Sequence, residues 1–377
     1  MNNAICMLIF ENNIYVPGAC LSAYVHRKFI EKNNEKISLL VMVDKVIYKY
    51  KDELDKYFDK VILIDLLELK LHPKYYIHEK YSKWMKYSIN KWQILKFTNY
   101  KKILFIDIDI LPIKDNFYKV FNINTPGFIV KGNLKNNIEI QKNKFLQNKN
   151  TYFDMKICSY FSLKLKYSID AGLVLLSPDI LLYNEYIDFL NKCAGINGYI
   201  SHKSSGIDET SLLLFYVFYK KIKVYSISYS YAVIPWEKYS YNKNEINGIN
   251  YLAMIKPWTI LPMLQWGEQN IWHIIAKKAL IKSKVVADLY IEKLLFILKE
   301  FIKKEDEIKN KKNNPYNIEG VNKKENLIKE IKDIYISNHK LNNDNIKKIM
   351  ILAKEIHKYM NKDSLINLNL IVKLIKK

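Results

Sequence analysis

A chain of 377 residues with 49% apolar and 14% aromatic content can bury an ordered core, as one large domain or two modest ones. The formal net charge of +22 raises nucleic acid or anionic lipid as a partner. Its lysines, however, are spread along a chain rich in Ile, Asn and Tyr and poor in Gly and Pro, the composition an AT-rich coding sequence gives, so nucleic acid is not the expected partner.

In chain order, Ala4 to Phe10 reads as a buried strand, stopped by Glu11-Asn12-Asn13. Gly18 to Phe29 has helical spacing, Ile37 to Val43 is a second strand stopped by Asp44, and Asp52 to Phe58 reads as helix before a third strand, Val61 to Ile64. Lys83 to Asn99 fits a helix, with Trp84, Tyr87, Ile94 and Phe97 at helical intervals. A fourth strand follows in KKILFIDIDILPIKD, Lys101 to Asp115. This alternation predicts an α/β fold, a mostly parallel sheet with helices on both faces and its ligands at the carboxyl ends of the strands. Asn133 to Lys149 reads as a polar loop or lid, and Ser168 to Pro178 as another strand. Beyond about Ile281 the texture becomes Lys-, Glu- and Asn-rich at helical spacing, which predicts a catalytic-size domain over 1–284 and a helical extension over 285–377. No run approaches the roughly 18 apolar residues of a membrane span. The start, MNNAICMLIFENN, lacks the basic flank and apolar length of a signal peptide. Cys6, Cys20, Cys158 and Cys193 have no metal-ligand spacing and read as reduced thiols, so a cytoplasmic, non-secreted protein is expected.

The fourth strand poses a chemical question. Asp107 and Asp109 interrupt an otherwise apolar run, and burying a charge costs several kcal/mol unless something pairs with it. Strand alternation would point both carboxylates to one side, roughly 6–7 Å apart, where they repel unless a cation or a proton relieves them. There is no GxGxxG after the first strand and no GxxxxGK[ST], so neither nucleotide fingerprint of that kind applies. A phosphohydrolase would place such an acidic pair on the first strand of its domain, whereas three strands precede this one.

Five blocks in order, between about Ala4 and Ala279, resemble the glycogenin-type retaining glycosyltransferases of the GT-A fold, family eight, and most closely the smaller relatives carried by large DNA viruses of insects. They are FENNIYVPGACLSAY, SINKWQILKFTNYKKILFIDIDILPIKD with its DxD triplet, IDAGLVLLSPD, GIDETSLL and INYLAMIKPW. The resemblance implies a UDP-sugar donor, UDP-glucose first, and hexose transfer to an unknown acceptor such as a protein Tyr, a glycan or a small molecule. It also implies Mn2+ or Mg2+ as cofactor, since a divalent cation stabilises a leaving diphosphate and takes carboxylate ligands. It assigns Asp107 and Asp109 to the metal, and Ile9, Glu11, Asn12, Tyr15, Lys91, Asp107, Ile108, Asp170, Ala171, Gly172 and Lys256 to the donor. Asp208, Glu209 and Lys91 take the catalytic roles. Asp170 stands where the family has Asn, and Glu209 where many relatives have Gln. The family's third metal ligand, a His six residues before the Lys of KPW, falls on Asn250, and its Gly on Ala253. An amide oxygen suits Mg2+ better than an imidazole would and binds Mn2+ less well. That departure keeps open an alternative, a catalytically silent member acting as a binding or scaffold module. A homodimer is also allowed for.

Overall fold

The structure is a computed structural model that describes residues 1–68, 86–131, 152–153, 168–194, 207–234, 244–252, 256–259, 270–290 and 292. The chain divides into two compact units, Met1–Asn250 and Tyr251–Lys377.

The first unit is an α/β layer structure around a mostly parallel central sheet. Strand β1 (Asn3–Ile9) is followed by helix α1 (Tyr15–Lys32), β2 (Ile37–Val43), the short turns of helix α2 (Lys45–Tyr48) and α3 (Lys51–Leu54), and β3 (Lys60–Leu63). A three-ten segment (Ser88–Lys96) leads to β4 (Ile103–Ile106), then β5 (Ile110–Pro112), a second three-ten segment (Asp115–Asn122), β6 (Gly127–Lys131) and β7 (Tyr152–Phe153). After them come β8 (Ser168–Leu176), helix α4 (Ile180–Ala194), helix α5 (Ile207–Leu213) continuing as a π-helical stretch (Leu214–Tyr219), β9 (Val224–Ile227) and β10 (Gly248–Asn250).

The main sheet runs β3-β2-β1-β4-β8-β6-β9-β7, and β10 pairs with β5 in a separate ribbon. Strands β3, β2, β1 and β4 are parallel, β8 runs against both β4 and β6, and β6 and β9 are parallel again. The inner strands are continuous apolar runs because both of their faces are covered: Ala4 to Met7, Leu39 to Val43 and Ile103 to Ile106 are at most 1% exposed. Trp92, fully buried, packs edge-on against Phe105 of β4 at 5.8 Å.

Three sequence expectations change. First, Asp107 and Asp109 are not alternating strand residues. β4 stops at Ile106, and the Ile110 N–H donates to the Asp107 carbonyl at 3.0 Å, closing a turn before β5 leaves for the ribbon. Second, Ser88–Lys96 is three-ten rather than α-helical, and its buried Ile89, Trp92 and Leu95 recur at intervals of three as that helix requires. Third, the helix expected over Asp52 to Phe58 is the single turn Lys51–Leu54, while α1 is longer than expected at both ends. Cys6 and Cys20 are buried free thiols, and burial pushes both pKa values up. The polar loop 133–149, Cys158 and most of the extension lie outside the described residues.

In the second unit, helix α6 (Asn270–Ala279) buries Trp272 against Trp258 at 5.0 Å and Tyr251 at 5.7 Å. A further helix runs over 284–290. No helix among the described residues is long and apolar enough to cross a membrane.

Candidate active site

From β1 the chain builds outward to β2 and β3, then returns to lay β4 on the other side of β1. The reversal makes β1 and β4 a switch point, and the crevice outside the carboxyl ends of such strands is where open α/β sheets bind ligands. Two segments bank it.

On the β1 bank, residues 10–14 form a tight polar loop. Asn12 N–H donates to the Phe10 carbonyl at 2.6 Å, and Ile14 N–H to the Asn12 side chain at 3.0 Å. Glu11 has a left-handed backbone (φ 58), which costs a side-chain-bearing residue about 1 kcal/mol. Its N–H donates to Asp44 Oδ2 at 3.0 Å, and Asn13 Nδ2 donates to the Tyr50 hydroxyl at 3.1 Å. Glu11 and Asn12 are exposed, Tyr15 is half-buried at the start of α1, and the Ile9 side chain belongs to the core.

On the β4 bank, Asp107 N–H donates to the Gly172 carbonyl at 2.7 Å, which brings β8 residues Asp170 to Gly172 beside the acidic turn. Ile108 and Asp109 in that turn are buried. The Lys91 ammonium lies 3.0 Å from Asp107 Oδ1 and 3.0 Å from Asp208 Oδ2, with 12% of its side chain exposed. Burial alone would lower its pKa, but the Asp107 and Asp208 carboxylates outweigh that and raise it, so Lys91 stays charged. The Asp107 carboxyl is raised as well, to about 6: burial pushes it up, Lys91 pulls it down, and Asp109 pushes it up again.

Asp208 and Glu209 open α5, where a helix N-terminus favours negative charge. Two neighbours on the three-ten segment grip Asp208 from both ends: Lys91 takes its carboxylate, and Trp92 Nε1 donates to its carbonyl at 3.2 Å. Nothing in the helical spacing read for this stretch singled out Trp92. The Glu209 carboxylate accepts from Ala171 N–H at 3.4 Å, and the Asp170 carboxylate from Gly172 N–H at 2.8 Å. Gly172 is closely packed: a Cβ there would stand 2.9 Å from Asp170 Oδ1 and 3.2 Å from Asp107 Oδ2, so those carboxylates would have to shift. The structure thus gathers Lys91, Asp107, Asp170, Ala171, Gly172, Asp208 and Glu209 on one bank. Lys256 lies in the second unit, just before a three-ten turn (Pro257–Thr259).

Asn250 belongs to the first unit, on β10, directly opposite Ile110 in the ribbon and so one residue past Asp109 in register. Its N–H donates to the Val233 carbonyl at 2.9 Å, while its Oδ1 is buried without a hydrogen-bond partner. An orphaned buried acceptor in this position fits a cation ligand, since such groups are otherwise satisfied. Two carboxylates and an amide oxygen form a hard set suited to Mg2+ or Mn2+. Among the described residues no group of three or more His, Cys, Asp or Glu side chains is placed to hold a metal ion.

No family model and no curated protein sequence matches the chain. Among solved structures it is similar to the galactosyltransferase LgtC in complex with donor and acceptor sugar analogs, at 12% identity over 72% of this chain and 95% of that one (TM-score 0.44). It is also similar to the glycosyltransferase GlyE of Streptococcus pneumoniae, at 11% identity over 78% of this chain and 64% of that one (TM-score 0.41). Mouse xyloside xylosyltransferase 1 is similar at 9% identity over 67% of this chain and 98% of that one (TM-score 0.38).

Proposed function

We propose that the chain is a metal-dependent retaining glycosyltransferase that moves a hexose from a UDP-sugar, UDP-glucose first, to an acceptor. The observation that carries the reading is the buried Lys91 ammonium bound to both Asp107 and Asp208 at the switch point. Such a cluster costs several kcal/mol to desolvate, and a cleft where charge must be handled during reaction is where that cost has a use.

On this reading the loop of Glu11 and Asn12, with Tyr15, receives the uridine, Ile9 and Ile108 bound the donor through the backbone, and Gly172 leaves room for the sugar. Lys91, kept ionised, bridges Asp107 and Asp208 and presents positive charge toward the donor. Asp107, Asp109 and Asn250 would hold Mn2+ or Mg2+. When bound, the cation supplies Lewis-acid stabilisation of the departing diphosphate. Asp170 accepts from sugar hydroxyls. Asp208 and Glu209 face the reacting carbon, where a carboxylate stabilises oxocarbenium-like charge.

The test is a calorimetric titration of UDP with and without Mn2+ or Mg2+, followed by a UDP-sugar hydrolysis screen. Metal-dependent binding with turnover of one sugar establishes the transferase and names its donor. Binding that never leads to turnover, even with added glycan and peptide acceptors, selects the silent module that Asn250 keeps open. Absence of UDP binding with either metal overturns both.

A further inference from the structure

The β1 bank carries few charges, and its loop is held from outside. Ile9 is paired with Val43 at the ends of β1 and β2, so Asp44 stands just past the register beside the loop. Asp44 is only 6% exposed and divides its carboxylate between two elements. Oδ1 accepts from Ile47 N–H at 3.0 Å and caps α2, while Oδ2 accepts from Glu11 N–H at 3.0 Å. The Glu11 side chain is exposed, so what Asp44 fixes is the left-handed backbone and not the side chain. Tyr50, on the far flank of α2, ties Asn13 at 3.1 Å. The loop is therefore anchored at two points to the α2 turn, one through a buried carboxylate.

We infer that Asp44 is a positioning residue for the nucleotide: its bond to Glu11 N–H sets the shape of the loop that receives the uridine. The inference rests on the nucleotide-sugar reading above. A loop shaped before the ligand arrives spares binding the cost of ordering it. Asp44 touches no ligand in this account and acts only through the Glu11 backbone. Its loss should weaken nucleotide affinity without altering the charged bank.

Asp44→Ser separates the two duties, because Ser still caps a helix but its hydroxyl is too short to serve Ile47 and Glu11 together. The experiment titrates UDP with Mn2+ into the full-length wild type, Asp44→Ser and Asp44→Asn, alongside thermal melts and amide exchange at Glu11 to Asn13. The expected result for Asp44→Ser is a melt close to wild type, faster exchange at those amides and roughly tenfold weaker UDP binding, the size of one charged hydrogen bond. Asp44→Asn should also weaken binding, since its amide keeps one acceptor and turns N–H groups against the other donor. If Asp44→Ser is too unstable to titrate, Asp44→Asn carries the comparison alone, with a threefold or greater loss expected. Wild-type binding matched within twofold by the titrated variants overturns the inference and leaves the transferase reading standing. A wild type that binds no UDP overturns that reading, and this inference with it.

Discussion

The two banks of the crevice solve different problems with different materials. The β4 bank is buried and ionic: one ammonium sits between Asp107 and Asp208, and Asp170 and Glu209 brace β8. The β1 bank exposes Glu11 and Asn12 and takes its form from hydrogen bonds that backbone N–H groups donate to side-chain oxygens. On the proposed reading this division matches the donor, whose diphosphate and reacting carbon need charge while its base and ribose need shape. Substitutions should therefore separate by bank, those on β4 acting on turnover and fold stability and those on β1 on affinity.

The strongest break would come from Asp109→Asn. It removes charge from the acidic turn but adds no bulk, so hydrolysis or transfer should fall about a thousandfold, the worth of several kcal/mol of metal-borne stabilisation. Its melting temperature should stay level or rise slightly, because one of two repelling carboxylates is gone. Transfer at the wild-type rate by this variant would remove Asp109 from the site.

Lys91→Met keeps volume but strands Asp107 and Asp208. Urea unfolding should show a loss of about 3 kcal/mol, as for other broken buried pairs, together with lost turnover. A stable, active Lys91→Met protein would mean that the β4 bank is not organised by charge. Asn250→His should tighten Mn2+ about tenfold, read by calorimetry without nucleotide, because imidazole is the softer donor. An unchanged Mn2+ affinity would place the cation elsewhere.

The effect that emerges only on acidification lies behind the β1 bank, in α1. His26 is fully buried, within hydrogen-bond distance (3.0 Å) of the Tyr118 hydroxyl, and burial lowers its pKa from 6.5 to about 3. The unfolded chain takes up that proton first, so the contribution of His26 to stability is intact above pH 6.5 and is lost as pH falls toward 3. The limiting slope is about 1.4 kcal/mol per pH unit. His26→Phe should flatten urea-derived stability across that window, and an unchanged slope would assign acid sensitivity to other groups.

What could be read from sequence differs between the banks for the same reason. Costly side chains announce themselves: Asp107 and Asp109 stand out of an apolar run, and Asp208-Glu209 out of GIDETSLL. Their conformation did not follow, because a turn after β4 depends on β5 finding β10, 135 or more residues on, a pairing no local pattern encodes. Trp92 was legible only through an interval of three, shared with Ile89 and Leu95, where an interval of 3.6 was sought. Asp44 reads from sequence as the stop of a strand. Its bond to Glu11 spans 33 residues and becomes visible only when β1 and β2 lie side by side. That the early apolar runs are strands of a mostly parallel sheet, by contrast, follows from their alternation with helical segments, since such runs have no other way to be buried.

The turn between β4 and β5 has a mechanical meaning as well. Asp107 leaves the main sheet and Ile110 joins the ribbon, so the acidic triplet is the joint at which the chain changes frames. Asp107 is fastened to β8 on one frame through Gly172, and Asn250 faces Ile110 on the other. On the proposed reading, a cation that gripped Asp107 and Asn250 together would act as a rivet through both frames.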